Sequence, residues 1–111
     1  MAVQKQTKLF KERLIFMGSD YSEKIIDGEY CIYKELPNDI DFEISGANND
    51  KTKYLSMYVY IWCKYKYLTI IERIDEIKSM PELKDTMDRL TAKYIAYTHD
   101  DLESLPKVDK L

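Results

Sequence analysis

Apolar and polar residues alternate along the middle of the chain, and this alternation predicts β-strands. Residues 40–45 read IDFEIS, in which every second side chain is aliphatic or aromatic and the others are polar. A two-residue period is typical of a strand with one face in a protein core and one face in water. Similar short runs predict further strands at about residues 23–26, 29–36 and 54–63.

The connections between these runs are short and rich in turn-forming residues. Asp27 and Gly28 both tolerate the positive φ that a type I′ hairpin turn requires. Residues 37–39, PND, combine the fixed φ of proline with two residues that favour turns, and residues 46–53 form a polar loop. Short connections place consecutive strands side by side, so the sequence predicts a four-stranded antiparallel meander.

A helix is predicted at each end of this sheet. In residues 5–17 apolar side chains recur at three- and four-residue steps, and Gly18 suits the left-handed position that ends many helices. In residues 79–97 the same spacing follows Ser79 and Glu82, whose separation is that of a capping box. Each helix presents one apolar stripe, so both are expected to pack on the aliphatic face of the sheet.

The segment between the sheet and the last helix, residues 68–78, fits two structures. Its four isoleucines fall on one side of a helix, and Thr69 precedes Glu72 by capping-box spacing. Because β-branched residues also favour strands, a fifth strand is the alternative. We expect a helix here. The predicted fold is therefore α+β, with an N-terminal helix, a four-stranded antiparallel meander and one or two C-terminal helices packed on one sheet face.

The length and composition indicate one folded domain. The chain has 111 residues, of which 45% are hydrophobic and 33% are charged, and this balance is typical of globular proteins. We expect residues 1–99 to form a single α+β domain and residues 100–111 to form an acidic, flexible C-terminal tail. The N-terminal segment is too charged for a signal peptide, and no run is apolar enough for a transmembrane helix, so a cytoplasmic location is expected.

The two cysteines, Cys31 and Cys63, fall on different predicted strands and, by the alternation, on opposite faces of the sheet. A disulfide between them would distort the sheet. Both are therefore expected to be free thiols that pack as small hydrophobic side chains.

The alternation assigns two kinds of side chain to the two faces of the sheet. One face is aliphatic and is expected to form the core with the helices. The other face carries tyrosine, tryptophan and carboxylates, and a two-layer domain of this size has no third layer to cover it. Exposed aromatic patches usually mark interaction sites. The predicted protein-binding residues are Tyr33, Glu35, Asp41, Glu43, Tyr58, Tyr60 and Trp62.

The aromatic residues of this face also have explanations that involve no binding partner. Tyrosine favours strands and packs against cross-strand neighbours with its hydroxyl in water, so the rings need not bind anything. The first helix, or the segment around Tyr65 and Tyr67, can also fold over this side. A strand register shifted by one residue would exchange the two faces.

The carboxylates favour a basic protein partner, because Lys and Arg can pair with Glu35, Asp41 or Glu43 and lie on an aromatic ring. A second copy of the chain is the alternative partner, which would make the protein a homodimeric structural protein. The first hypothesis is therefore a small non-catalytic protein-interaction module. Its size, its acidity and a composition rich in Lys, Ile and Tyr extend the hypothesis to an accessory or inhibitor protein of a low-GC bacterium or its phage.

A second hypothesis is single-stranded nucleic-acid binding, because aromatic platforms on sheets stack bases. The formal net charge of −3 and the carboxylates among the rings oppose it, since phosphate binding requires Lys and Arg. Nucleic acid is therefore not the expected partner.

The sequence contains no catalytic motif that we recognise. His99 is the only histidine and is followed by Asp100, Asp101 and Glu103, and an imidazole with carboxylates is a metal-ligand set. These residues fall at an expected helix end or tail, where a preorganised site is hard to hold, so a solvated cluster is expected. We expect no enzyme activity, no cofactor and no metal.

Overall fold

The alternating segments form one antiparallel sheet. Among the residues that the structure describes, one helix precedes the strands in chain order and two helices follow them. The structure, a computed structural model, describes residues 3–50 and 55–108. Within these residues the elements are α1 (Lys8–Met17), β1 (Ser22–Ile26), β2 (Glu29–Glu35), β3 (Ile40–Ser45), β4 (Met57–Cys63), β5 (Thr69–Ile77), α2 (Met80–Tyr94) and α3 (His99–Glu103).

The sheet has five strands in the order β1-β2-β3-β4-β5, and each strand is antiparallel to its neighbours. The predicted α+β fold and antiparallel meander are therefore confirmed. Three of the four predicted strands match observed strands to within one residue. The fourth begins at Met57, and the predicted start at Tyr54 lies outside the described residues.

The helix expected at residues 68–78 is wrong, because Thr69–Ile77 form β5 and pair with β4. Met57 lies opposite Ile77 while Val59 lies opposite Ile74, so β5 uses three residues where β4 uses two. A second shift of the same kind lies near the start of β5. Each extra residue is a β-bulge, which bends the strand and interrupts its two-residue period.

The bulges explain why this strand resembles a helix in sequence. Ile71, Ile74 and Ile77 all pack against the core although they stand three residues apart. A regular strand would turn the middle one of the three to the other face. One bulge includes Glu76, whose φ of 56° lies in the left-handed region.

The helix ends and the first turn follow local signals in the sequence. The Thr7 hydroxyl accepts a hydrogen bond from the Phe10 amide, so α1 begins at Lys8 rather than at the predicted residue 5. The helix ends at Gly18, as predicted, with a φ of 109°. Asp27 and Gly28 have φ values of 53° and 79°, which are those of the predicted hairpin turn.

The core lies between the sheet and the helices. Phe10 and Met17 from α1, Leu83 and Met87 from α2, and Leu102 from α3 belong to one buried cluster with the aliphatic sheet residues. The sheet contributes Ile32, Ile40, Phe42, Ile44, Met57, Val59, Ile61 and Cys63 to this cluster. We call this side of the sheet the core face and the opposite side the second face.

The C-terminal segment that was expected to be a flexible tail carries structure as far as Val108. The Thr98 hydroxyl caps α3, Leu102 is buried, and the Val108 amide donates to the carbonyl of Ile70 across 2.7 Å. The division into a domain and a tail is not tested by these contacts and stays a prediction. None of the described helices is long and apolar enough to cross a bilayer.

The cysteines lie as the alternation predicts. Both are buried free thiols, and Cys63 packs in the core. Cys31 lies on the second face, where its sulfur is 3.7 Å from the Ser45 hydroxyl.

Candidate functional site

The strand register brings the predicted protein-binding residues together on the second face. Tyr33 of β2 lies opposite Glu43 of β3, which lies opposite Tyr60 of β4, and Tyr60 lies opposite Arg73 of β5. The four side chains form one row across the sheet. The next row consists of Glu35, Asp41, Trp62 and Ile70, and Tyr58 lies opposite Ser45 in the row on the other side. We call the seven predicted residues the aromatic–acidic face.

Glu43 lies at the centre of this face and is only 1% exposed. The indole nitrogen of Trp62 donates to Oε1 of Glu43 across 2.9 Å, and the Ser45 hydroxyl donates to Oε2 across 3.1 Å. An ionised carboxylate only accepts hydrogen bonds, so each oxygen of the buried carboxylate has a donor of the right kind. These bonds offset the cost of removing the charge from water.

Asp41 is the second buried carboxylate and is 2% exposed. The Tyr33 hydroxyl donates to Oδ2 across 2.5 Å, and the ammonium of Lys64 lies 3.1 Å from Oδ1. Burial raises the pKa of Tyr33 well above its ordinary value, and the hydrogen bond to Asp41 and the neighbouring carboxylates raise it further. Burial acts to lower the pKa of Lys64, but the hydrogen bond and charge of Asp41 outweigh it, so that pKa is raised.

Tyr33 also carries a cation on its ring. The ammonium of Lys24, from the edge strand β1, lies 4.2 Å from the ring centroid. This distance is within the range of a cation–π interaction. The face already holds one lysine over a tyrosine, which is the contact expected with a basic partner.

The aromatic–acidic face is less exposed than the sequence analysis expected. Tyr33 and Tyr60 are 7% and 8% exposed, and Asp41 and Glu43 are buried. Glu35 is exposed, while Tyr58 and Trp62 are half-buried. The expectation of a freely exposed surface is therefore wrong for four of the seven residues. The physical reason is that the large side chains of the sheet lie against one another, as Lys24 on Tyr33 and Trp62 on Glu43 illustrate.

Open hollows separate these packed side chains. The first has a volume of about 290 Å³, and we call it the tyrosine hollow; its lining residues are Ile26, Asp27, Glu29, Glu43, Ser45, Gly46, Tyr58 and Tyr60. The second, of about 310 Å³, is lined by Lys24, Ile26, Asp27, Tyr33, Glu43, Trp62 and Leu68. A third, of about 380 Å³, is lined by Tyr58, Tyr60, Arg73, Asp75 and Glu76. Tyr58 and Trp62, which are half-buried, therefore line hollows that carboxylates also line.

Glu29 belongs to this region although the sequence analysis did not select it. The backbone amide of Gly46 donates to Oε1 of Glu29 across 2.8 Å. Gly46 has a φ of 90°, and a Cβ there would lie 2.3 Å from the carbonyl oxygen of Ser56. Only glycine fits this position, so the amide that orients the Glu29 carboxylate is fixed in place.

Of the two second-face residues that the sequence analysis did not select, Glu29 was predictable from the sequence and Arg73 was not. Glu29 stands two residues before Cys31 and four before Tyr33, so the alternation of β2 places it on the second face. Arg73 was not predictable in this way, because its segment was expected to be helical. Its position opposite Tyr60 depends on the bulges of β5.

The cluster at His99 has a structural role. The imidazole Nε2 lies 3.0 Å from a carboxylate oxygen of Asp39, and the ring stacks on Tyr65 with centroids 3.9 Å apart. These contacts join α3 to the loops of the sheet. In the described part of the chain, no three His, Cys, Asp or Glu residues are grouped in a way that would hold a metal ion.

Comparisons of the chain with protein-family models, with curated proteins and with solved structures give no significant match. Function is therefore inferred from the geometry and charge of the aromatic–acidic face alone.

Proposed function

We propose that the protein is a small, non-catalytic, cytoplasmic protein-interaction module whose aromatic–acidic face binds a basic surface of a partner protein. One observation carries the proposal. Two carboxylates, those of Asp41 and Glu43, are buried in a layer of aromatic rings on the sheet face that lies opposite the helices.

Burial of ionisable groups is costly and is not needed to build a two-layer fold. Valine or threonine at these positions would form the strands without any charge to desolvate. The presence of Asp41 and Glu43 within a network of tyrosine, tryptophan and lysine is therefore better explained by recognition than by folding. The network also holds its side chains in fixed positions, which reduces the entropy lost when a partner binds.

The charges of the second face favour a basic partner. Its acidic residues include Glu29, Glu35, Asp41 and Glu43. Among its basic residues, Lys24 lies over the Tyr33 ring, Lys64 is paired with Asp41 and Arg73 is paired with Asp75. Like charges brought together at an interface cost several kcal/mol, on the order of what a good interface gains from a hot-spot residue. Two copies that pack through this face would meet with the same acidic centre, so a heterologous basic partner is preferred over a homodimer.

The same charges disfavour nucleic acid. Phosphates that approached Tyr58 and Tyr60 to stack a base would meet Glu29 and Glu43 in the tyrosine hollow. Binding to single strands normally combines aromatic stacking with a positively charged groove. Among the residues that the structure describes, the rings of this face are present without a positively charged groove.

Trp62 provides a direct test, because it is the only tryptophan of the chain and lies on the face itself. The protein is titrated with a basic octapeptide of alternating Lys and Ser, with an acidic Glu–Ser octapeptide, and with a twelve-nucleotide oligothymidylate. We expect the basic peptide alone to change the Trp62 fluorescence, and the change to weaken as salt screens the charges.

A matched pair of variants locates the binding surface. Tyr58→Ser removes a half-buried ring of the face and should weaken binding of the basic peptide, whereas Tyr67→Ser at the β4–β5 hairpin, where the ring is 73% exposed, should not. A response to oligothymidylate alone, or equal effects of the two variants, would contradict the proposal.

A further inference from the structure

We propose that the partner docks on the second face through an arginine, whose guanidinium lies in the tyrosine hollow against Tyr58 and Tyr60 and pairs with Glu29. This inference rests on the proposed function and names the chemical group that the face recognises. The partner segment that carries the arginine is a basic stretch of another protein.

The tyrosine hollow has the shape and charge for such a group. Tyr58 and Tyr60 are two residues apart on β4, so both rings stand on the second face, and both residues line the hollow. Asp27, Glu29 and Glu43 also line it. Aromatic rings and carboxylates together suit a cation better than a neutral or anionic group.

Glu29 is the carboxylate best prepared to bind the cation. It is half-buried, and its Oε1 is held by the Gly46 amide at 2.8 Å. A side chain held in one orientation before binding loses little conformational entropy when the partner arrives. Glu43 is already bonded to Trp62 and Ser45, so its charge acts at the centre of the face rather than as the primary contact.

The residues that line the hollow favour arginine over lysine. A guanidinium is planar, stacks on an aromatic ring and donates two parallel hydrogen bonds to one carboxylate. An ammonium makes only point contacts and is more strongly hydrated. Two neighbouring tyrosines and an oriented carboxylate line the hollow, and together they offer both kinds of contact that a guanidinium makes.

The arginines of this chain are poor candidates for the role. Arg13 is buried and donates to the carbonyl oxygens of Ala47 and Asn49, and Arg73 belongs to the second face itself. Arg89 is exposed on α2, where it pairs with Asp85. Arg89 is thus the only one of the three that a second copy of the chain could insert.

Three pentapeptides test the inference with the intact chain. They share the sequence acetyl-Gly-Ser-X-Ser-Gly-amide, in which X is arginine, lysine or citrulline, the neutral analogue of arginine. Binding is followed by amide chemical shifts of the nitrogen-15-labelled protein. We expect the arginine peptide to shift the amides of Ser45, Gly46, Tyr58 and Tyr60, and to bind about tenfold more tightly than the citrulline peptide. The lysine peptide should fall between the two.

Variants of the hollow sharpen the test. Glu29→Gln keeps the acceptor for the Gly46 amide but removes the charge, and should bring the affinity of the arginine peptide close to that of the citrulline peptide. Glu12→Gln, an exposed residue of α1, is the control and should leave the affinity unchanged. Denaturant unfolding of each variant checks that the fold is retained.

The outcomes separate this inference from the proposed function. If the Lys–Ser octapeptide binds the face but arginine and citrulline peptides bind equally, the arginine site is wrong and the interaction module stands. If neither basic probe affects the second face, both proposals fail. If light scattering shows a dimer that Arg89→Ser abolishes, the occupant is a second copy of the chain and the inference is overturned.

Discussion

The indole nitrogen of Trp62 donates to Oε1 of Glu43 across 2.9 Å, diagonally between two neighbouring strands. This bond links the only tryptophan of the chain to the most deeply buried carboxylate of the second face. A change in the packing of the second face should therefore change the fluorescence of Trp62. The bond also makes Glu43 a residue on which the stability of the fold should depend.

Removal of the Glu43 carboxylate should destabilise the protein. In Glu43→Ala the donors of Trp62 and Ser45 lose their shared acceptor, and a buried donor without a partner costs about 1–3 kcal/mol. Urea unfolding followed by circular dichroism measures the loss, and the Trp62 emission of the folded state should shift. Glu35→Ala, at an exposed position of the same face, is the control and should cost less than about 0.5 kcal/mol. Equal stability of the two variants would show that the buried bonds contribute nothing.

Alkaline pH should destabilise the protein through its buried tyrosines. Burial and the nearby charges of Asp88 and Asp20 raise the pKa of Tyr21 to about 12, and the pKa of Tyr33 is also raised. A raised pKa means that the folded state favours the protonated phenol. The stabilisation is therefore complete below the unfolded pKa of about 10 and is lost as the pH rises toward the folded value.

The size of this effect follows from the linkage relation. Between about pH 10 and about pH 12 the free energy of unfolding should fall by about 1.4 kcal/mol per pH unit for each such tyrosine. Urea unfolding at a series of pH values measures the slope. Tyr33→Phe should flatten it by the share of one tyrosine. Identical slopes in the variant and the parent protein would refute the assignment.

Gly46→Ala should destabilise the protein more than Gly18→Ala. Both glycines have positive φ values, but a Cβ at Gly46 would lie 2.3 Å from the Ser56 carbonyl oxygen, whereas a Cβ at Gly18 would meet only the Lys84 ammonium, at the ordinary contact distance of 3.9 Å. Backbone strain alone costs on the order of 1–3 kcal/mol, and the clash adds to it at Gly46. Thermal and urea unfolding of the two variants measure the difference. A smaller loss of unfolding free energy for Gly46→Ala than for Gly18→Ala would contradict the expected clash with Ser56.

Arg13→Leu should destabilise the fold, because the buried guanidinium donates to the carbonyl oxygens of Ala47 at 2.6 Å and Asn49 at 2.5 Å. The variant leaves these acceptors without their donor and should lower the free energy of unfolding by about 1–3 kcal/mol. Arg89→Leu is the matched control, since Arg89 is exposed and its ion pair lies on the helix surface. We expect the control to lose less than about 0.5 kcal/mol. Similar losses in both variants would contradict a structural role for Arg13.

The fold was largely predictable because β2, β3 and β4 obey a single rule. Their side chains alternate between the two faces, so the parity of Ile40, Phe42 and Ile44 assigned these residues to the correct face. In β1, by contrast, Ile25 is 49% exposed. The turn at Asp27 and Gly28 was equally readable, because positive φ values at both positions leave few alternatives. In this half of the chain the turn residues and the alternation of side chains predict the same structure.

The last strand was not predictable by the same rule. Its two bulges place Ile71, Ile74 and Ile77 on one face at three-residue steps, which is the spacing of a helix. A bulge is stabilised by pairing with the neighbouring strand, so its position is not visible in the segment alone. Burial of the face was missed for a related reason: the packing of Lys24 on Tyr33 requires the positions of two strands together.

The irregular β5 also determines how the molecule can associate. Its free edge is bent by two extra residues, and near Ile70 the backbone is already occupied by Val108. An incoming strand would find no continuous ladder of amides and carbonyls there, so the sheet cannot be lengthened at this side. We therefore expect any association to use a face of the sheet rather than strand addition at β5.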